Sequence, residues 1–181
     1  MTFDLARALP YFTSVYDTEV TGPIDVHGSK DGPLVRAFSP TLMVNYVVDE
    51  PGAHALVRER DVAPDLHEEL HRRAVENLRA QVERRSLSFE RSGALHLVRL
   101  DGQHDASLLL LDELWDPPTR IADPEGELVA AVPARSSLCF TGSTAKSGVA
   151  ELRAAISRKR DLALSPEMFV RRERRWQPFG R

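Results

Sequence analysis

Residues 41–84 read TLMVNYVVDEPGAHALVRERDVAPDLHEELHRRAVENLRAQVER, and this stretch decides the fold class. Apolar side chains occupy every second position over residues 42–48, which predicts a β-strand. The tetrapeptide DEPG at 49–52 is typical of a turn, and residues 53–60 are predicted to form a strand that pairs back. From residue 66 apolar side chains recur at every fourth position, which predicts an amphipathic helix over 65–84.

The alternation of strand pairs and helices continues in both directions along the chain. Strands are predicted at 11–20, 34–38, 86–91, 94–100, 127–132 and 136–141, and helices at 108–115 and 148–162. Short links within the pairs imply antiparallel neighbours, and helices that follow pairs argue against a doubly wound parallel sheet. We therefore predict an α+β fold, with a mostly antiparallel sheet built from strand pairs alternating with helices packed on one face.

Three segments are predicted along the chain. Residues 1–32 form an N-terminal segment without a clear pattern, and residues 33–165 form the α+β domain. Residues 166–181 form a basic tail, and its Trp176 and Phe179 suggest that it docks on the body of the domain. Because the helices are predicted to cover one face of the sheet, we expect the opposite face to be open to a partner or to a second copy.

The composition excludes several classes of protein. With 181 residues and 42% hydrophobic side chains, the chain can bury a core of its own, which excludes a disordered protein. The single cysteine, Cys139, excludes an intramolecular disulfide and a four-cysteine zinc site, and is predicted to be a small buried side chain. Residues 1–10 lack a signal-peptide core and no stretch reaches the length of a transmembrane helix, so we expect a cytoplasmic protein without membrane contact.

The charge is unevenly distributed. A net charge of −3 argues against general binding of nucleic acids. From residue 150 onward, however, nine basic side chains stand against four acidic ones. This excess has two interpretations, a solvated helix face followed by a basic tail, or a contact for an anionic partner.

Four stretches resemble the YtpQ-like family of bacterial proteins of unknown function. They are FSPTLMVNYVVDE at 38–50, LHRRAVENLRAQV at 70–82, GQHDASLLLLDELW at 102–115 and GELVAAVPARSSLCFTGS at 126–143. The resemblance implies a bacterial, cytosolic α+β domain and implies no activity. It also implies that two histidines are not required in the first long helix, since similar proteins carry Leu and Asn there.

The pattern His67-Glu68-Glu69-Leu70-His71 fits the H-E-x-x-H motif of zinc hydrolases. The spacing of four places both imidazoles on one helix face, where they can bind Zn²⁺ while Glu68 acts as general base. A catalytic zinc needs a third protein ligand, and the metzincin position holds Asn77. The remaining third-ligand candidates are Glu90, His96 and His104. The alternative interpretation is a helix with two half-buried, hydrogen-bonded histidines.

Other candidate groups have simple structural explanations. Asp105 and Ser107 could join His104 in a nucleophile set, but no Gly-x-Ser-x-Gly elbow surrounds Ser107, and capping of the next helix explains both residues. Asn77 is predicted to hydrogen-bond a neighbouring loop and hold its helix in place. Arg135, in a turn, either faces solvent or binds an anion. The segment GSTAKSG at 142–148 lacks the spacing of a phosphate-binding loop.

These observations favour a non-catalytic interaction or binding module that needs no cofactor. A protein partner or a homodimer is the expected ligand. The alternative is a zinc-dependent hydrolase with His67 and His71 as metal ligands.

Overall fold

The computed structural model of the chain describes residues 5–15, 32–50, 53–116, 124–159 and 164–180. The chain divides into two compact units, Met1–Arg84 and Arg85–Arg181. Each unit contains an antiparallel sheet with an α-helix packed against it, which confirms the predicted α+β class. The strands form two sheets, where the sequence pattern predicted one.

The first unit is built around one long strand. This strand, β3 (Leu42–Glu50), pairs antiparallel with β1 (Leu9–Ser14), β2 (Val35–Ala37) and β4 (Ala53–Leu56). Side chains on both faces of β3 are buried. Val44 and Val47 lie on opposite faces, and each is 1% exposed. The predicted strand over 11–20 begins earlier, at Leu9, and residues 16–20 lie outside the described residues.

The amphipathic helix lies close to its predicted position. A 3₁₀ turn over Pro64–Leu66 leads into α1 (His67–Arg84), which packs against β1. Its buried side chains are Leu70, Ala74 and Leu78, as the four-residue spacing predicts. The side-chain amide of Asn77 donates to the carbonyl oxygens of Ala6 (2.8 Å) and Ala8 (2.9 Å), which confirms its predicted role in holding the helix.

The predicted strand over 53–60 is too long. The strand β4 ends at Leu56, and a 3₁₀ turn occupies Glu59–Asp61. The carboxylate of Asp61 accepts the backbone N–H of Arg58 (2.9 Å), and this local bond closes the turn. The hydrogen bond to the Asp61 side chain therefore takes the place of further strand pairing at this point.

The second unit contains a six-stranded antiparallel sheet in the order β10-β9-β7-β8-β6-β5. Its strands are β5 (Ser88–Ser92), β6 (Leu95–Arg99), β7 (Leu128–Ala134), β8 (Ser137–Gly142), β9 (Met168–Arg172) and β10 (Arg175–Pro178). A 3₁₀ turn over Ala106–Leu110 leads into the short helix α2 (Asp112–Trp115), and α3 spans Lys146–Lys159. Pro133 lies in the central strand β7, at a shift of register between Ala131 and Ala134, which is where a sheet tolerates proline.

Both faces of the central strands in the second unit are covered. On one face α3 contributes Val149 and Leu152 to a core cluster that includes Cys139 and Val170. On the other face the ring of Phe140 meets that of Trp115, with centroids 5.8 Å apart. The first six residues of β7 are buried as a result. The expectation of an open sheet face is therefore wrong for these strands.

The C-terminal segment forms a hairpin that the sequence pattern did not predict. The strands β9 and β10 pair through residues 169–172 and 175–178, and β9 also pairs with β7. The turn uses Glu173 (φ 49°) and Arg174 (φ 61°), both in the left-handed region. Such turns usually carry Asn or Gly. Because this turn carries Glu173 and Arg174, the sequence does not show the usual signal of a hairpin. Trp176 Nε1 donates to Leu109 O (3.0 Å) from this hairpin.

Within the described part of the chain, no helix combines the length and apolar character needed to cross a membrane.

Candidate functional site

The two histidines of the H-E-x-x-H pattern lie on the first turns of α1. His71 is half-buried, and its Nδ1 lies 3.0 Å from the hydroxyl of Tyr46 on β3. Tyr46 is 2% exposed, and its ring meets the imidazole edge to face at 6.0 Å. His67 Nε2 lies 3.9 Å from a carboxylate oxygen of Glu59. Tyr46 was not predicted as a partner of His71, because their contact depends on how β3 lies beside α1.

The predicted general base has another partner. Glu68 has a side chain that is 78% exposed, and its carboxylate accepts a hydrogen bond from Arg36 on β2. A general base must lie within reach of the proton that it removes, so this ion pair fits a zinc hydrolase poorly. Among the described residues, no three His, Cys, Asp or Glu side chains are grouped so that they could hold a metal ion. Zinc binding by His67 and His71 stays a prediction.

The candidate third ligands have contacts of their own. Glu90 pairs with Arg99 (3.4 Å). His96 stacks on Phe140, with ring centroids 5.1 Å apart. His104 Nδ1 bonds to a carboxylate oxygen of Asp101 (3.0 Å). Each therefore serves a local contact within the second unit.

Burial keeps the Tyr46–His71 pair uncharged at neutral pH. Burial lowers the pKa of His71, the positive charge of Arg36 lowers it further, and Glu68 partly opposes both. Burial raises the pKa of Tyr46 to about 12, with Arg36 opposing the shift. Because both groups are neutral, the hydrogen bond between them is an ordinary packing contact and supplies no charged acid or base.

The Tyr46–His71 hydrogen bond can be measured with a double-mutant cycle. His71→Ala is expected to lower the free energy of unfolding by about 1–3 kcal/mol, because it leaves a buried hydroxyl without its partner. In a Tyr46→Phe background the same change should cost about 1 kcal/mol less, since no hydroxyl is left behind. Urea unfolding of the four proteins measures this. Additive losses would show that the contact does not stabilise the fold.

The lowered pKa of His71 makes stability depend on pH. Below pH 6.5, the ordinary value, the unfolded chain takes up a proton at this position before the folded chain does. The contribution of His71 to the free energy of unfolding is therefore complete above pH 6.5, and it is lost as the pH falls through the pKa of His71 in the folded chain. We expect wild-type stability to fall more steeply between pH 7 and 5 than that of His71→Gln, by denaturant titration at each pH. Parallel curves would contradict this.

The loop after β6 is organised by two carboxylates. Asp105 is fully buried, and its Oδ1 accepts the backbone N–H groups of Leu100, Asp101 and Gly102 at 2.9, 3.0 and 3.0 Å. Its own backbone is helical (φ −56°, ψ −45°), and its side chain makes no bond to the following 3₁₀ turn. The predicted capping role of Asp105 is therefore wrong, because the side chain points back to the preceding loop.

Asp101 is the second carboxylate of this loop. It accepts the backbone N–H groups of Gln103 (2.9 Å) and His104 (2.8 Å) and the Nδ1 contact from the His104 ring. Burial alone would raise the pKa of Asp101, but these bonds hold it well below its usual range. His104 and Ser107 are 2% and 1% exposed, so neither is open to a substrate from solvent. The contacts support a structural role for His104, Asp105 and Ser107, which were considered as a nucleophile set from the sequence and explained by capping.

Arginines in the C-terminal hairpin are largely paired. Arg171 binds Asp112 (2.8 Å) and Asp116 (2.6 Å), and its guanidinium lies 5.4 Å from the ring centroid of Trp176. Arg172 binds Glu127 with two hydrogen bonds, at 2.6 and 2.7 Å. Neutralised arginines offer less charge to an anionic partner. Of the two interpretations of the basic excess, these pairs favour the structural one for the hairpin.

The remaining predicted residues have local roles. Cys139 lies in the core cluster, and burial raises the pKa of its thiol, which confirms it as a buried side chain. The carbonyl oxygen of Arg135 accepts the N–H of Ala106 (3.0 Å). In the GSTAKSG segment, a Cβ on Gly142 would overlap the backbone of Glu125, and one on Gly148 would overlap the Thr141 hydroxyl. Close packing therefore explains both glycines.

The two edges of the six-stranded sheet differ. At one edge, β10 contains Pro178, which cannot donate to a ladder, and Arg175. At the other edge, all five residues of β5 are exposed, and Phe89 is 41% exposed. No described strand other than β6 pairs with β5. Natural edge strands usually carry charges or proline that discourage pairing. Strand β5 carries Glu90 and Arg91, yet it also exposes the apolar ring of Phe89. The sequence predicted a strand here but gave no sign that it was an edge.

Comparison with models of known protein families, with curated proteins and with solved structures gives no match. Any functional assignment for this chain therefore rests on its own residues and their geometry.

Proposed function

We propose that the chain is a non-catalytic protein-interaction module, and that β5 is the strand through which it binds. The observation that carries the proposal is the open edge, where five consecutive residues are exposed and Phe89 presents an apolar ring to solvent. An exposed edge strand binds an added strand through main-chain hydrogen bonds, and alternate side chains give specificity. Phe89 and Arg91 lie on one face of the edge and Glu90 lies on the other.

The state of the titratable groups supports a role without catalysis. Catalytic residues need a perturbed pKa together with access to a substrate. In the part of the chain that the structure describes, the groups with the most strongly shifted pKa are bound to internal partners, Tyr46 to His71 and Asp101 to His104. Each of these pairs stabilises its own unit, and neither presents a free acid or base beside a solvent-exposed nucleophile.

The wider setting of the module is part of the same proposal. The resemblance of residues 38–50, 70–82, 102–115 and 126–143 to the YtpQ-like family supports a bacterial protein of that family. A cytosolic location is supported by the single, buried Cys139, since secreted domains usually carry paired cysteines. No resident cofactor is needed for strand addition.

Photocrosslinking at the two sheet edges tests the proposal. Phe89 is replaced by p-benzoylphenylalanine in cells that naturally produce the chain, and Arg175 of β10, which is also exposed, is replaced in a matched control. Irradiation is expected to give a discrete adduct from position 89 and none from position 175. The proposal would be overturned if position 89 gave no adduct, or if the two positions crosslinked equally.

A further inference from the structure

We infer that the strand bound by β5 is β5 of a second copy of this chain, which gives a dimer with a continuous antiparallel sheet. The inference rests on the proposed function and names its partner. It follows from the side chains that β5 would bring opposite itself. A twofold axis makes the same patch serve both subunits, so the patch must be complementary to itself.

The register of such a pair is set by its length. Only one antiparallel register pairs all five residues of β5, and it places Glu90 opposite Glu90 of the second copy. Phe89 then lies opposite Arg91 and Ser88 lies opposite Ser92, each contact occurring twice. The Cβ atoms of directly opposite residues in a ladder lie about 5 Å apart. From that spacing the guanidinium of an arginine reaches the face of an aromatic ring, which is a favourable pairing.

The central glutamates are compatible with this register. Like charges directly opposite each other destabilise a ladder. Each Glu90, however, already pairs with Arg99 of its own chain at 3.4 Å. The four side chains then form the row Arg99, Glu90, Glu90 and Arg99, in which each carboxylate lies next to a positive charge of its own chain. The repulsion is offset within each subunit.

The opposite edge of the sheet makes a poor competitor. Pro178 removes one backbone donor from β10, whereas β5 contains no proline and keeps all of its backbone donors. Pairing of β5 with β5 therefore gives a closed dimer, and the sheet does not extend into a filament. Because a five-residue strand buries little surface, the dimer should be weak and concentration-dependent.

Sedimentation equilibrium with charge variants tests the inference. Wild-type chain is measured from about 10 µM to about 1 mM, a range that captures weak association. Phe89→Lys places a lysine opposite Arg91 and should raise the dissociation constant by about tenfold or more. Arg91→Glu removes the guanidinium and should also weaken the dimer. Both residues are exposed, so circular dichroism should show unchanged folding for each variant.

Mixing the two variants separates this register from any other. In a mixed pair, the lysine introduced at position 89 of one chain faces the glutamate introduced at position 91 of the other. At the second contact, the unchanged Phe89 and Arg91 still meet. The mixture of Phe89→Lys and Arg91→Glu should therefore associate more tightly than either variant alone.

A wild-type chain that stays monomeric throughout, or a mixture that associates no better than its components, would overturn the inference. If position 89 nevertheless crosslinks to a different protein in cells, the interaction function stands and only the second copy is rejected. If neither dimer nor adduct forms, both proposals fail.

Discussion

Asp105→Ala is expected to lower the free energy of unfolding by about 3–5 kcal/mol, the largest loss from any single side chain considered in this chain. Asp105 is fully buried, and one of its oxygens accepts three successive backbone N–H groups, those of Leu100, Asp101 and Gly102. Alanine leaves all three donors without this acceptor. Each lost hydrogen bond costs about 1–3 kcal/mol, less what water recovers at Leu100 and Asp101, which are half-buried, and at Gly102, which is exposed.

Asp105→Asn is the matched control. It keeps a carbonyl oxygen in the position of the accepting atom, so it should retain more than half of the stability that alanine loses. Urea unfolding measures all three proteins, and amide hydrogen exchange reports whether residues 100–102 lose protection. Loss of less than about 1 kcal/mol in Asp105→Ala would contradict the proposed role of this carboxylate, since that is the cost of an ordinary substitution.

Arg171→Ala is expected to cost about 3 kcal/mol, because it removes a buried guanidinium that binds two partly exposed carboxylates and packs beside an indole ring. The side chain of Arg171 is 6% exposed and binds both Asp112 and Asp116. The guanidinium also contacts Trp176, which packs edge to face on Trp115. Its loss should therefore disturb the aromatic packing as well as the charge balance of the hairpin.

The adjacent Arg172 provides a control within the same strand. Its side chain is 49% exposed and pairs with Glu127, which is 44% exposed. An exposed pair of this kind is worth about 0–1 kcal/mol even with two hydrogen bonds, so Arg172→Ala should be close to wild type. Thermal unfolding followed by tryptophan fluorescence compares the two variants. Equal effects would show that burial of Arg171 does not determine its contribution.

The elements with a clear period could be predicted from the sequence. The alternation over 42–48 corresponds to β3, and the four-residue spacing corresponds to α1 with Leu70, Ala74 and Leu78 buried. The predicted hairpins at 86–100 and 127–141 correspond to β5–β6 and β7–β8. These predictions agree with the structure because the spacing of the apolar side chains matches the face of each element that is buried.

Other elements were missed where local chemistry or tertiary contacts outweigh the pattern. Glu173 and Arg174 adopt the left-handed turn conformation without the usual Asn or Gly, so the β9–β10 hairpin resembled a basic tail. The four consecutive leucines at 108–111 predicted one helix, yet Leu111 (φ −94°, ψ 89°) separates a 3₁₀ turn from α2. The division of the strands into two sheets depends on pairing choices that no local pattern encodes.

The candidate site was predictable only in part. Helical spacing correctly places His67 and His71 on neighbouring turns of α1. The contacts of His71 with Tyr46 and of Glu68 with Arg36 depend on how β2 and β3 lie against that helix. The open edge at β5 was not predicted either, because Ser88–Ser92 has an ordinary strand composition and its position at the end of the sheet follows from the strand order.

Amide hydrogen exchange along β5 tests the central claim most directly, because it reports strand pairing itself. In a free edge strand, amides that point toward β6 are protected and those that point outward exchange rapidly. Exchange is measured for residues 88–92 in dilute wild-type chain, in concentrated chain, and in the complex captured through position 89. The outward-pointing amides are expected to gain protection in the concentrated chain or in the captured complex, and to exchange rapidly in Phe89→Lys. Rapid exchange of these amides under all conditions would contradict the claim that β5 binds another strand.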